Sequence, residues 1–172
     1  INRWVLWRYE TRENKNGEIY WSKVPRMTTG ANADVSQPNT WTSFDPVIEA
    51  YNSGDFSGIG IVMAKDQDNL VGVDFDHIVE DDDVKDPKIQ GYIDKLNSYT
   101  EISPSGTGIR IFGFGELPLR GRKNGPIEVY DSGHYLTVTG HRVGDANLRS
   151  FKQDLLRFHE EVFGKAKSDK VL

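Results

Sequence analysis

The chain has 172 residues with 37% apolar, 27% charged and 11% aromatic composition, enough for one globular domain with a real core and unlike a disordered or fibrous protein. It contains no cysteine, which excludes disulfides, thiolate metal sites and cysteine nucleophiles and is compatible with a reducing cytosol. Its formal net charge of −5 does not advertise a nucleic-acid partner.

Trp4 to Tyr9 and Ile19 to Val24 are rich in β-branched and aromatic residues, and Asn16-Gly17 lies between them. This predicts a β-hairpin with a longer, mobile loop. Residues 25 to 43 are rich in Pro, Thr, Asn, Ser and Gly and predict a long irregular surface loop, a feature that in compact domains tends to carry function. Asp45-Pro46 opens a short helix with Val47, Ile48 and Tyr51 on its apolar side and Gly54 past its end. Ile59 to Met63 and Leu70 to Asp76 have strand composition and are expected as adjacent antiparallel strands. Asp86-Pro87 opens a second helix whose Ile89, Tyr92, Ile93 and Leu96 make one buried face. Short strands are expected at Tyr99 to Ser103, Ile109 to Phe114, Ile127 to Tyr130 and Tyr135 to Thr139, followed by a helix from about Leu148 to Phe163. Its stripe is Leu148, Phe151, Leu155, Phe158 and Val162.

The elements neither alternate as βαβα nor separate into blocks, so the expected class is α+β, with a mostly antiparallel or mixed sheet backed by helices. One domain over residues 1–164 is expected, with a polar tail at 165–172. The chain begins at Ile1 and so reads as a piece of a larger protein. No apolar run approaches the ~18 residues that span a membrane, and no signal peptide precedes Trp4. No Gly-rich phosphate loop opens a helix, and the Asp66, Asp68 and Gly72 spacing fails as a calcium loop because no Glu closes it.

Val71-Gly72-Val73-Asp74-Phe75-Asp76 carries the strongest chemical signal. On a strand, Asp74 and Asp76 share one face while Val73 and Phe75 face the core. Two such carboxylates repel unless a cation neutralises them, and Mg²⁺ or Mn²⁺ suits oxygen ligands; a solvated strand end is the alternative. The run Glu80 to Asp83 reads as a solvated turn. In Ser103-Pro104-Ser105-Gly106-Thr107-Gly108, hydroxyls and glycines before a strand make either an anion cradle, with Arg110 as a cationic clamp, or an ordinary turn with a surface Arg. Glu128 alternates with the apolar Ile127 and Val129 and needs a partner, by a salt bridge if nothing else. Tyr135, Thr137 and Thr139 share one face. Arg120, Arg122 and Lys123 form a dense basic cluster, either a DNA contact or a solvated loop. Trp4, Trp7, Tyr9 and Trp21 of the first hairpin either stack on single-stranded bases or serve as core or interface. His77 sits beside Asp76, and His134, His141 and His159 lack metal-ligand spacing.

In this order, an Asp-x-Asp strand, a Ser and Gly turn followed by a basic residue, a strand with one acid and then a Tyr and Thr-Gly strand, the motifs resemble the archaeo-eukaryotic primase superfamily. The resemblance is greatest to primase-polymerase domains of phages and plasmids, and it runs from about Trp4 to Val143. It implies that Asp74, Asp76 and Glu128 hold two catalytic metals, Mg²⁺ or Mn²⁺. It implies a nucleotide site at Ser103, Ser105, Gly106 and Arg110, with Tyr135 and Thr137 near the nucleotide and Lys23 at a phosphate or the template; Trp41 also matches a family feature. It further implies DNA primase and DNA polymerase activity with NTP or dNTP on a single-stranded DNA template, in phage or plasmid replication in the cytoplasm of a bacterial or archaeal host. A helicase region would follow further along the full protein. Arg110 departs from the His common in the family; Arg stays protonated, so it grips phosphate and shuttles no proton. The rival readings are a metal-dependent nuclease or phosphohydrolase and a catalytically silent nucleic-acid-binding module.

Overall fold

The computed structural model describes residues 1–81, 83–119 and 121–164. Arg120 and the 165–172 tail lie outside the described residues. In chain order the elements are β1 (Trp4–Glu13), β2 (Ile19–Arg26), α1 (Phe44–Asn52), β3 (Gly58–Ala64), β4 (Leu70–Phe75), β5 (Val79–Glu80) and β6 (Asp83–Val84). There follow α2 (Pro87–Leu96), β7 (Tyr99–Ile102), β8 (Ile109–Phe114), β9 (Lys123–Asn124), β10 (Ile127–Tyr130), β11 (Ser132–Val138) and α3 (Lys152–Phe163). The class is α+β. Among the described residues no helix is long and apolar enough to cross a membrane.

The chain divides into two compact units, Ile1–Met63 with Gly133–Thr139, and Ala64–Ser132 with the segment from Gly140 onward. The first unit holds a four-stranded sheet in the order β11-β3-β1-β2. β1 and β2 pair antiparallel from Leu6 opposite Arg26 to Glu13 opposite Ile19, whereas only Trp4 to Trp7 of β1 pair with β3. The far half of the hairpin therefore extends past the sheet as a two-stranded ribbon. Its turn is more ordered than the composition predicts, because the Asn14 carboxamide oxygen accepts from the backbone N–H of Asn16 at 2.9 Å and Glu18 at 3.0 Å. The segment from 27 to 43 is irregular, as expected, with a 3-10 turn at Pro38–Thr40 and the Trp41 indole donating to the Asp34 carbonyl at 2.8 Å. Val5, Ala33 and Val62 form the small core of this unit, with Met27, Val35, Trp41 and Tyr135 packed against it. On α1 only Val47 is fully buried.

The second unit is built on a five-stranded antiparallel sheet in the order β7-β8-β4-β10-β9. Strand alternation sends Val71, Val73, Phe75, Ile109, Ile111, Ile127 and Val129 to one face, where α2 and α3 cover them. The α2 helix begins where its sequence places it. The Asp86 carboxylate caps it by accepting from Lys88 N–H at 2.8 Å, Pro87 occupies the first turn, and Asn97 ends it in the left-handed conformation with φ 39°. Its four apolar residues Ile89, Tyr92, Ile93 and Leu96 are buried as the spacing predicts.

Two expectations are corrected. β3 and β4 are consecutive in sequence but lie in different sheets, because β8 and β10 occupy both edges of β4 while β3 pairs with β1. The last helix starts at Lys152 and not near Leu148, since Arg149 to Phe151 are held extended against the end of β8. There Phe114 N–H donates to the Arg149 carbonyl at 2.9 Å and Phe151 N–H to the Phe114 carbonyl at 3.0 Å, so Leu148 falls off the apolar stripe and is exposed. The acidic run is a solvated turn as expected, with Glu80, Asp81 and Asp83 exposed and Val79–Glu80 and Asp83–Val84 pairing as the short hairpin around it.

Phe158 packs edge-on against both Phe75 and Tyr92, at centroid distances of 6.0 and 5.1 Å, and so joins α3, β4 and α2. Phe158→Ala is expected to destabilise the protein by about 3–5 kcal/mol in urea or guanidinium unfolding.

Candidate active site

The register of the five-stranded sheet places charged residues directly opposite one another on the face turned away from α2 and α3. Glu101 of β7 lies opposite Arg110 of β8, Arg110 opposite Asp74 of β4, Asp74 opposite Glu128 of β10, and Glu128 opposite Lys123 of β9. Five strands thus contribute one residue each to a single row. Arg142 pairs with Glu101 through the backbone at the β7 end, while its guanidinium donates to the Ala146 carbonyl and the Asn147 side chain at 3.1 Å. Of this row, Glu101, Arg110 and Asp74 are buried, Glu128 is partly buried and Lys123 is exposed.

Arg110 donates through Nε to Asp74 Oδ1 at 2.9 Å, and both side chains are buried. Burial pushes the Asp74 carboxyl above its ordinary range; the Arg110 charge and hydrogen bond oppose this, and the negative charges of Asp76 and Glu128 add to it. Glu128 is held by the ammonium of Lys123 and by the phenol of Tyr130. The Glu128 hydrogen bond and charge raise the Lys123 pKa, and Asp76 and Asp74 contribute in the same direction. Asp76 follows the end of β4 and is anchored by its backbone N–H on the Pro126 carbonyl at 2.8 Å. His77 then turns the chain with φ 53° and is exposed. A cleft of about 630 Å³ opens here, lined among others by Asp76, His77, Lys85, Lys123, Pro126 and Glu128. Its size is that of a small-molecule site.

The turn before β8 is closed on itself. Ser103 Oγ accepts from Gly108 N–H at 3.0 Å and lies 3.0 Å from Ser105 Oγ, which lies 2.9 Å from Thr107 Oγ1. Gly106 takes a positive φ of 77°, and a Cβ on Gly108 would come within 2.7 Å of the Phe75 carbonyl oxygen. The turn is therefore pressed against the end of β4, beside Asp76. Its Thr107 carbonyl accepts from the backbone N–H of Ile78 and Val79 at 2.8 and 2.9 Å. Thr107 Oγ1 lies 3.4 Å from His77 Nδ1, so the turn and the segment after Asp76 are tied together.

Asp74, Asp76, Glu128, Arg110 and the turn from Ser103 to Gly108 thus all belong to the second unit, as does Lys123. Lys123, expected in a DNA-contacting basic cluster, is directed at Glu128 instead, and Arg122 is engaged with Asp131 at 3.6 Å and the Pro118 carbonyl at 2.7 Å. Arg120 lies outside the described residues. Lys23, Tyr135 and Thr137 belong to the first unit, where the Tyr135 hydroxyl donates to the Lys23 carbonyl at 2.5 Å and Thr137 is buried. His159 is buried, with Nε2 2.9 Å from the Gly121 carbonyl, and His134 and His141 are exposed.

Sequence reasoning missed Glu101, Tyr99 and Tyr130. The signal was present as Tyr99-Thr100-Glu101 and Glu128-Val129-Tyr130, a tyrosine two residues from an acid on each of two strands. Strand alternation puts each pair on one face, and each phenol donates to its acid, Tyr99 to Glu101 at 3.1 Å.

The donor set of Asp74, Asp76 and Glu128 consists of hard carboxylate oxygens, the chemistry that Mg²⁺ and Mn²⁺ take. Burial is the main cause of the raised Asp74 carboxyl, and the negative charges of Asp76 and Glu128 add to it, a like-charge excess of the kind a divalent cation relieves. Among the described residues no three His, Asp or Glu side chains are gathered as a ready metal cluster. Two of the three acids are turned to Arg110 and Lys123, which supply the positive charge in this arrangement.

The Tyr99 phenol is pushed up to about 12 from its ordinary 10.0, by burial first and then by the charge and hydrogen bond of Glu101, with Arg142 opposing. The stability this contributes is fully present below pH 10 and lost as pH rises through about 12. Tyrosinate absorbance should show this late titration, and Tyr99→Phe should remove it together with the associated loss of stability.

No protein-family model matches the chain. The chain is 30% identical over 146 residues to a protein named DNA Primase-polymerase from Nitratiruptor phage NrS-1, a match that covers 80% of this chain and 19% of that protein. The chain thus spans about a fifth of the length of the curated relative it matches. Across 80% of its length this chain is a relative of a phage primase-polymerase, in agreement with the primase-polymerase type of domain that its motif order resembles.

Proposed function

We propose that the chain is the catalytic domain of a DNA primase-polymerase, transferring nucleotidyl groups from NTP or dNTP to a growing strand on a single-stranded DNA template. The observation that carries this reading is the register that sets Asp74 opposite Glu128, with Asp76 beside them at the mouth of a cleft. Similarity to the phage relative supports the same reading. The proposed domain is residues 1–164, an archaeo-eukaryotic primase type of core, in phage or plasmid replication in the host cytoplasm and with a helicase region further along the full protein.

Asp74, Asp76 and Glu128 would hold two Mg²⁺ or Mn²⁺ ions. Bound there, the ions would activate the attacking hydroxyl and neutralise charge on the transferring phosphoryl group and the leaving pyrophosphate. The chain's own residues do the positioning. Arg110 opposes the neutralisation that burial favours at Asp74 and would share its fixed charge with the triphosphate. The turn containing Ser103, Ser105 and Gly106 offers hydroxyl and backbone donors beside Asp76 to the phosphates. With cations held beside Glu128, Lys123 would be released toward phosphate or strand, joining Arg122 and Arg120 in the basic cluster assigned to DNA. Lys23, Tyr135 and Thr137 are assigned to the nucleotide's sugar, base and phosphate environment on the family resemblance.

Asp76→Ala and Asp74→Asn should each abolish incorporation in a template-extension assay with Mg²⁺ or Mn²⁺ while circular dichroism stays unchanged; retained incorporation in either sinks the metal-site assignment. Arg110→Lys keeps a charge but loses the two-point grip, so the nucleotide KM should rise about ten-fold or more with a smaller change in kcat. Release of pyrophosphate only upon template-dependent extension separates this activity from that of a nuclease or phosphohydrolase.

A further inference from the structure

Apart from Lys23, the overhanging half of the β1–β2 hairpin has no role in the chemistry above, and its surface is unusual. Trp7, Tyr9 and Trp21 form a stepped series of rings: Trp7 meets Tyr9 at 5.0 Å and 88°, and Tyr9 meets Trp21 at 6.3 Å and 84°. Exposure climbs along the series from 3% at Trp7 through 44% at Tyr9 to 69% at Trp21. The inner end is fixed. The Trp7 indole donates to the Ile59 carbonyl at 3.0 Å, and a Cβ on Gly58 would lie 2.7 Å from its ring, so glycine there lets the indole lie flat on β3. The outer rings are thereby held in place before any ligand binds, which lowers the entropy cost of using them.

A cation stands among these rings. Lys23 lies directly opposite Tyr9, with Nζ 5.8 Å from the ring centroid, and on the reverse face Arg12 lies opposite the exposed Tyr20. Residues 1–30 contain six Lys and Arg against three Glu, within a chain of net charge −5. Protein interfaces deplete lysine from their core, whereas exposed aromatics among cations are what a phosphate backbone with unstacked bases requires.

We infer that this ribbon is a stacking surface for single-stranded nucleic acid, with Trp21 and Tyr9 taking bases and Lys23 the backbone. It names where a template strand would be held, and in that respect rests on the proposed function. Loss of a stacked base on an aromatic lowers affinity by about ten-fold or more.

The test is a fluorescence-anisotropy titration of the full chain with a labelled oligothymidine, at low salt and without nucleotide or metal. Wild-type protein should bind saturably with quenched tryptophan emission. Trp21→Ala should weaken binding about ten-fold, Trp21→Phe should restore most of it, and Tyr9→Ala combined with Trp21→Ala should weaken it further. At saturating template, Trp21→Ala should extend at the wild-type rate, since Trp21 lies outside the catalytic machinery. Equal affinity of wild type and Trp21→Ala, or no saturable binding by wild type, overturns the inference. A ten-fold loss in Trp21→Ala alongside a wild type that incorporates no nucleotide would leave the stacking surface standing and remove the polymerase reading instead.

Discussion

A buried carboxylate must be compensated or it will not stay charged, and the second unit is organised around that requirement at Asp74. Desolvation pushes Asp74 toward its neutral form, and Arg110, delivered by the adjacent strand, holds it back. The same constraint propagates outward along the sheet. Arg110 lies opposite Glu101, Asp74 opposite Glu128, and Glu128 is met by Lys123. Each charge is placed by the need of its neighbour, so no member of the row is independent. A one-residue slip of β4, β8 or β10 would replace a charge by an apolar side chain and bring a charge into the core.

This interdependence explains which parts of the site were legible in the sequence. The pairing of Asp74 with Asp76 is visible because strand periodicity is local, and Arg110 and Glu128 stand out as charges that interrupt apolar runs. α2 was legible for a similar reason: cap, proline and apolar spacing all lie within about ten residues. Cross-strand register is not local, so nothing near Lys123 announces that it is paired with Glu128. The partners of β3 and β4 were misjudged on the same ground, since adjacency in sequence carries weight only until another strand competes for the same edge. Leu148 shows a third kind of failure. Its spacing fits the α3 stripe, yet the backbone hydrogen bonds of Phe114 with Arg149 and Phe151 hold the chain extended there and delay the helix.

The chain's net charge is a poor guide because its charges are segregated. From Asp74 to Asp86 there are seven acids and one lysine, whereas the opening hairpin carries an excess of cations. An average over the chain cancels these two regions. A salt dependence measured on the whole molecule would reflect the local fields, with a cationic surface attracting a polyanion and an acidic one attracting divalent ions.

Arg110 lies 36 residues beyond Asp74, and Glu128 is further still, with α2 and the β7–β8 hairpin intervening. Neither carboxylate can meet its opposite until the loops between the strands have closed, at an entropic cost recovered only by those late contacts. During synthesis the acidic strand must therefore wait, exposed and uncompensated, until β8 and then β10 emerge. A fragment ending before Ile127 would display both aspartates without their third carboxylate and with one edge of β4 unpaired. Premature termination in this region would leave an unpaired sheet edge that templates aggregation.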